Sequence, residues 1–299
     1  MAQHENSFLV SHNDVSASVF QRDALDHLAT LRDGSVDLFV TSPPYCIGKA
    51  YESAKSTDDF VRELDRVFDE ALRVVKVGGS FCWQVGSHVT SNETVPLDFL
   101  IYEKSRQFQD LHLRNRIIWH FGHGIHANRR LSGRYETILW YTKGDDYFFD
   151  LDQIRVEQKY PGKRHYKGPK KGDYSGNPRG KNPSDVWDIP NVKANHVEKT
   201  EHPCQFPVAL VGRLIKGMCP QGGLVCDPYS GTGSTAVAAL LEGRNFSGSE
   251  ISSEYIEIAR KRLLQVSDGT VRVRDDKPAM KPDKNSSVAK KPAKFQEFV

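Results

Sequence analysis

The sequence predicts an α/β protein with an open, doubly wound and mostly parallel sheet, and three observations lead there. Apolar runs of strand length alternate with segments whose apolar residues recur at helical spacing, the pattern of a sheet covered on both faces. Two of those runs end in turn chemistry rather than in hairpins: residues 36–40 enter Thr41-Ser42-Pro43-Pro44-Tyr45, and Val225-Cys226-Asp227 enters Pro228-Tyr229-Ser230-Gly231-Thr232-Gly233-Ser234. Finally, 299 residues suffice to bury a sizeable core in one large domain with an insert.

In chain order, residues 17–21 and 36–40 read as strands separated by a helix over 24–31. A longer helix is predicted over 57–76. Ser56 or Thr57 can cap it, Asp58 and Asp59 favour its first turn, and Phe60, Leu64, Val67, Phe68, Ala71, Leu72 and Val75 fall on one face. Gly78-Gly79 is expected to end it. Residues 80–85, 115–121 and 136–141 read as further strands, the last two antiparallel. Residues 155–193 have no helical period, whereas 208–218 and 236–241 read as helices on either side of the strand ending at Asp227, and 245–250 as a strand ending in Glu250. Trp83, Trp119, Trp140 and Trp187 all lie in apolar runs and are expected in the core.

The first turn suits a planar group bearing an exocyclic amine. Two consecutive prolines fix φ and remove two backbone donors, so no sheet ladder can consume the carbonyls around them. Ser42 and the Pro43 carbonyl can then accept two N–H bonds while Tyr45 stacks on the ring; Pro44 holds the turn rigid. The second turn has the strand, glycine turn, helix, strand, acid layout that takes the adenosine half of a cofactor, with Glu250 placed 23 residues after Asp227 for the ribose hydroxyls. A phosphate loop is excluded because no Gly-Lys-Ser/Thr follows. NAD and S-adenosylmethionine remain open from the turn alone.

Together the two stretches resemble the motifs of the DNA amino-methyltransferases, S-adenosyl-L-methionine-dependent enzymes that methylate N4 of cytosine or N6 of adenine. The resemblance covers about residues 17–265, and the order, Ser-Pro-Pro-Tyr first and the cofactor motif last, is similar to the β group of the family. It implies a doubly wound, Rossmann-like methyltransferase sheet, circularly permuted, with a basic target-recognition insert. Four segments are implied: a catalytic half over 1–154, the insert over 155–200, a cofactor-binding half over 201–268 and a disordered basic tail over 269–299. Residue by residue, Ser42, Pro43, Pro44 and Tyr45 would be catalytic. Asp227, Pro228, Ser230, Gly231, Gly233, Ser234 and Glu250 would hold the cofactor. Asp23 and Ala24 of Gln21-Arg22-Asp23-Ala24 would face its adenine, and Gln205 and Phe206 of His202-Pro203-Cys204-Gln205-Phe206-Pro207 its methionine. Arg134-Tyr135-Glu136-Thr137-Ile138-Leu139-Trp140 resembles the strand motif facing the target-base pocket.

Charge distribution agrees with a polyanionic partner. The net charge is only +3, but residues 155–193 carry ten Lys/Arg against four Asp/Glu, and residues 272–299 carry eight against four, which leaves −7 on the remainder. Within the insert, Arg164, Lys167, Lys170, Lys171, Arg179 and Lys181 lie among Tyr160, Tyr166 and Tyr174; with Arg129 and Arg130 they are the candidates for gripping double-stranded DNA. Val186-Trp187-Asp188-Ile189 is expected to return the chain to the core. Five cysteines without CxxC spacing give neither a disulfide framework nor a zinc site. His120, His123 and His126 recur at a spacing of three without a carboxylate partner, so no metal is expected. No membrane span or secretory signal is visible, so the protein is expected to be cytoplasmic, with bacterial nucleoid DNA as the implied substrate.

An aromatic amine is a poor nucleophile, and acceptors at its two protons would stabilise the charge that develops as methyl arrives. The amine is paired inside a duplex, so the target nucleotide must be flipped out. Pro203-Cys204-Gln205 spells the nucleophile motif of the cytosine-C5 enzymes, but the motif order is reversed here and no Glu-Asn-Val follows; Cys204 is read as an ordinary half-buried residue. Adenine and cytosine stand even as targets. Other readings are a protein glutamine N-methyltransferase, in which the cofactor motif would precede the acceptor cradle, and a catalytically silent DNA-binding regulator, against which intact Ser42, Tyr45, Asp227 and Gly231 argue. A homodimer and a cognate restriction enzyme are partners the resemblance leaves open.

Overall fold

The computed structural model describes residues 7–44, 57–90, 93–122, 124 and 126–277. Tyr45, Cys46, Ser56, His123 and the chain beyond residue 277 lie outside the described residues, as do the side chains of residues 57–63. The strands are β1 (Ser7–His12), β2 (Val15–Gln21), β3 (Val36–Thr41), β4 (Val75–Val85), β5 (Ser87–Thr90), β6 (Glu93–Pro96), β7 (Leu111–His120), β8 (Tyr135–Lys143), β9 (Val186–Asp188), β10 (Leu224–Asp227) and β11 (Asn245–Glu250). The helices are α1 (Ala24–Thr30), α2 (Thr57–Val74), α3 (Leu97–Ser105), α4 (Val208–Met218), α5 (Ser234–Leu241) and α6 (Ser253–Ser267). Nine strands form one sheet in the order β1-β2-β11-β10-β3-β4-β8-β7-β9, and β5 and β6 make a separate hairpin.

Neighbours from β2 through β4 are all parallel. The C-terminal ends of β2, β11, β10, β3 and β4 therefore share one edge, where an open α/β sheet places its ligands. Because β8 is antiparallel to β4, and β7 to β8, the start of β8 and the end of β7 reach the same edge. The last two predicted strands are antiparallel, as read.

Two cores cover the two faces. On one, α1, α2 and α3 pack over β3 and β4, with Phe39 and Phe81 stacked 5.2 Å apart and Phe68 of α2 edge-on to Phe81 at 4.9 Å. Val67, Phe68, Ala71 and Leu72 are buried as the helical spacing predicts. Each large apolar side chain removed from water contributes about 2 kcal/mol, so this stripe, more than helix propensity, holds α2 in place. On the other face α4, α5 and α6 pack over β10, β11 and β2. All four tryptophans are buried. Among the described residues no helix is long and apolar enough to cross a membrane.

The structure corrects one expected boundary. Gly78-Gly79 does not terminate the helix: α2 stops at Val74 and β4 begins at Val75, carrying both glycines in a bulge, since Val36 pairs with Val75 but Leu38 already pairs with Ser80. Gly78 has φ +81°, and a Cβ there would lie 2.7 Å from the Asp146 carbonyl oxygen, so the glycines serve a kinked strand crossed closely by another chain segment. Residues 271–277 also pack on the body: Arg274 N–H donates to Glu198, and Asp276 pairs at 2.8 Å with Arg213, a buried side chain.

Candidate functional site

The Ser-Pro-Pro turn leaves the end of β3 in the middle of the ligand edge. Thr41 is buried and its hydroxyl donates to the Asp227 carboxylate at 3.4 Å, tying the end of β3 to the end of β10 across 186 residues of sequence. Ser42 is half-buried, and its hydroxyl donates to the Gln84 amide oxygen at the end of β4. Gln84, itself buried, donates its amide N–H to the Glu136 carboxylate at the start of β8. Three adjacent strands thus contribute one polar chain, Ser42–Gln84–Glu136, running along the edge.

The glycine turn is latched on both sides. Ser230 donates its backbone N–H to the Ser249 carbonyl and its hydroxyl to the Asp227 carbonyl, while the Ser249 hydroxyl donates to the Pro228 carbonyl. Gly233, at φ +76°, caps α5, a backbone that side-chain-bearing residues rarely adopt. Gly248 on β11 is required by close approach: a Cβ there would overlap both the Asp227 carbonyl and the Ser230 hydroxyl. Arg262 of α6, buried, donates to the Thr232 carbonyl at 2.7 Å and the Ser234 hydroxyl at 3.0 Å, bracing the turn from behind.

Electrostatics separate the two acids. Asp227 is buried and its oxygens accept from Thr235 at 2.6 Å and from the Tyr229 N–H at 3.1 Å, as well as from Thr41. Burial pushes its carboxyl up to about 7, against the pull of those hydrogen bonds. It works as a hub joining β3, β10 and α5 from inside. Glu250 is also raised by burial, but it holds the Gly231 N–H at 3.0 Å and the Ser252 N–H at 2.9 Å at the mouth of the turn. Each carboxylate oxygen can accept twice, so Glu250 keeps capacity for hydroxyls.

The other expected cofactor residues flank this centre. Asp23 caps α1 through the Leu25 N–H at 2.9 Å, and the neighbouring Arg22 N–H donates to the Glu250 carbonyl, so the start of α1 sits beside the end of β11 with Ala24 buried. Gln205 is buried and bonded within its own loop, to Thr200 and Glu198, and Phe206 is half-buried edge-on to Trp119. Cys204 is exposed rather than half-buried, because the Gln205 side chain takes the inward position. His202, which the sequence reading left without a role, lies over Gly231 and packs edge-on against Tyr255 at 4.5 Å.

The basic candidates divide by what they touch. Arg179 is paired with Asp152, and Arg164 lies 4.0 Å over the Tyr174 ring while donating to the Gly172 carbonyl, so both brace the segment over 152–181 itself. Antiparallel bridges between Val156 and Lys181 and between Arg164 and Tyr174 shape residues 156–181 as an irregular hairpin. Lys167, Lys170 and Lys171 are exposed at its tip beside Tyr166, which is 83% exposed. Lys181 is exposed at its base, and Arg129 and Arg130 in the loop between β7 and β8. Trp187 of β9 returns the chain to the core beside β7. Among the described residues no group of three or more His, Cys, Asp or Glu is placed to hold a metal ion.

Sequence reasoning passed over Gln84, Thr41, Thr235 and Arg262. For Gln84 a signal existed, a lone amide in the apolar run 80–85; Arg262 sits at an ordinary helix position that carries none.

Known proteins resemble this chain in sequence and in fold. The Type II methyltransferase M.BglII of Bacillus subtilis is 44% identical over 249 residues, 82% of this chain and 68% of that protein. The DNA adenine methyltransferase YhdJ of Escherichia coli K12 is 34% identical, with 82% of each chain covered. Among solved structures, the Thermus thermophilus protein TTHA0409 complexed with S-adenosyl-L-methionine is 27% identical, with a TM-score of 0.59 over 86% of this chain and 97% of that one. The cytosine-N4-specific PvuII DNA methyltransferase shares the fold with a TM-score of 0.65 at 16% identity, over 85% of this chain and 92% of that one. The family model of N6/N4 DNA methylases matches residues 36–261, a span that opens on β3 and closes within α6 and so takes in the Ser-Pro-Pro turn, Gln84, Glu136, the glycine turn and Glu250; the chain belongs to that family.

Proposed function

We propose that the protein transfers the methyl group of S-adenosyl-L-methionine to the exocyclic amine of a base flipped out of duplex DNA, N6 of adenine or N4 of cytosine. The observation that carries this reading is the tie between the two turns, Thr41 to Asp227, which sets an amine-accepting cradle beside a glycine turn on one sheet edge. The residues present fit the cofactor. Gly231 and Gly233 give the turn its left-handed backbone, at φ +52° and +76°, and Glu250 has lone pairs for ribose hydroxyls. When bound, S-adenosyl-L-methionine supplies an electrophilic methyl on its sulfonium. Ser42 and the Pro43 carbonyl accept the two N–H bonds of the target amine, favour a pyramidal nitrogen and stabilise the positive charge that develops on it. Tyr45 stacks on the flipped base.

The order of the two turns along the chain supports a circularly permuted, β-group layout, with residues 155–200 as the target-recognition insert. Lys167, Lys170, Lys171, Lys181, Arg129 and Arg130 face the phosphates, while Arg164 and Arg179 hold the hairpin in shape. The Type II name of M.BglII supports a cognate restriction enzyme as partner. The test is to incubate the purified protein with radiolabelled S-adenosyl-L-methionine and duplex DNA, then digest the DNA to nucleosides. N6-methyladenine or N4-methylcytosine is the expected product and decides the base. Label on carbon 5 of cytosine, on protein glutamine or nowhere overturns the reading.

A further inference from the structure

We infer that Gln84 and Glu136 are positioning residues that fix the polarity of the Ser42 hydroxyl, so that Ser42 meets the target amine as an acceptor. This rests on the methyl-transfer reading above. A serine hydroxyl has one proton and two lone pairs, and a rotor that can turn either toward a partner. Facing an amine N–H, a hydroxyl that points its own proton at the amine repels it; one that points its proton away accepts.

The chain of bonds decides which. Glu136, as a carboxylate, can only accept, so the Gln84 amide must turn its NH2 toward it. That leaves the amide oxygen toward Ser42, and an amide oxygen only accepts, so the Ser42 proton must point at Gln84. What Ser42 then offers any further partner is lone pairs. Burial enforces the arrangement: Gln84 is 1% exposed, and although the Ser42 hydroxyl could turn to accept from a flipped amide, the flip would set the amide oxygen against the Glu136 carboxylate. The sheet supplies the geometry without further help. Gln84 pairs with Ile138 across β4 and β8, and Glu136, two residues before Ile138, faces the same side; Trp83 pairs with Thr41, which sets Ser42 level with Gln84.

The test is a mutant cycle read on single-turnover methylation of duplex DNA by the full chain, with S-adenosyl-L-methionine affinity measured alongside. Glu136→Gln removes the acceptor-only end and lets the Gln84 amide take either orientation, so the methyl-transfer rate should fall about tenfold with cofactor affinity unchanged. The exchange Gln84→Glu with Glu136→Gln restores the polarity from the other side, because a carboxylate at 84 accepts from both neighbours; its rate should recover to near wild type. In a Ser42→Ala background, Glu136→Gln should have no further effect. Should Glu136→Gln alone not fold, the exchange variant against Ser42→Ala still decides. An undiminished rate in Glu136→Gln, a slow exchange variant, or an equal loss with and without Ser42 would overturn the proposal. A wild-type protein that methylates no base overturns instead the function on which it rests.

Discussion

Replacing Asp227 with Asn should remove a pH dependence from the stability of the ligand-free protein. Asn keeps the shape and can still accept from the Tyr229 N–H, while the Thr235 hydroxyl can reverse and accept from the new NH2. Burial raises the Asp227 carboxyl from 3.8 to about 7, so the folded state holds this proton more tightly than the unfolded chain does. The sign follows: the contribution is fully present below pH 3.8 and is lost as pH rises through about 7. Between those limits the unfolded chain has released the proton and the folded protein has not, which lowers stability by about 1.4 kcal/mol per pH unit, or roughly 2 kcal/mol between pH 5 and pH 7. Urea midpoints of wild type and Asp227→Asn, compared from about pH 5 to about pH 8, should converge on the acid side and separate on the neutral side, with wild type the less stable there. Parallel curves would refute this linkage, and with it the picture of Asp227 as a buried hub.

His27 should show the opposite sign. It is buried beneath Phe20 and bonded to Ser247, and burial, with Arg22 nearby, lowers its pKa from 6.5 to about 4. Its contribution is present above pH 6.5 and lost as pH falls through about 4, a span worth roughly 3 kcal/mol, so His27→Gln should flatten the acid limb of the same urea series. In wild type the two slopes oppose each other over the shared range, so only the variants reveal them. Gly248→Ala should cost at least about 2 kcal/mol and weaken S-adenosyl-L-methionine binding, read by thermal melting and calorimetry, because the new methyl would force β11 away from the glycine turn. Lys170→Ala with Lys171→Ala should weaken DNA association and reduce the slope of log affinity against log salt by about 2; an unchanged slope counts against the tip of the insert as the grip.

The sequence by itself determined what depends on neighbours in the chain. Two prolines after a strand free carbonyls wherever that strand lies, glycines at Gly231 and Gly233 make a tight turn from their own backbone freedom, and the apolar spacing of Val67, Phe68, Ala71 and Leu72 names a helix face before any partner is known. The alternation of strands and helices was enough to call for a doubly wound sheet. Only tertiary structure decided the rest. The sheet order brings Thr41 against Asp227, Gln84 between Ser42 and Glu136, and Arg262 behind Thr232, pairs far apart in sequence whose contact is set by which faces bury together. It also turned Gly78-Gly79 from a helix stop into a bulge, because the approach of Asp146, many residues later, makes the space for nothing larger than hydrogen. Whether Asp227 carries a charge is a property of its burial, and burial belongs to the folded chain rather than to any stretch of it.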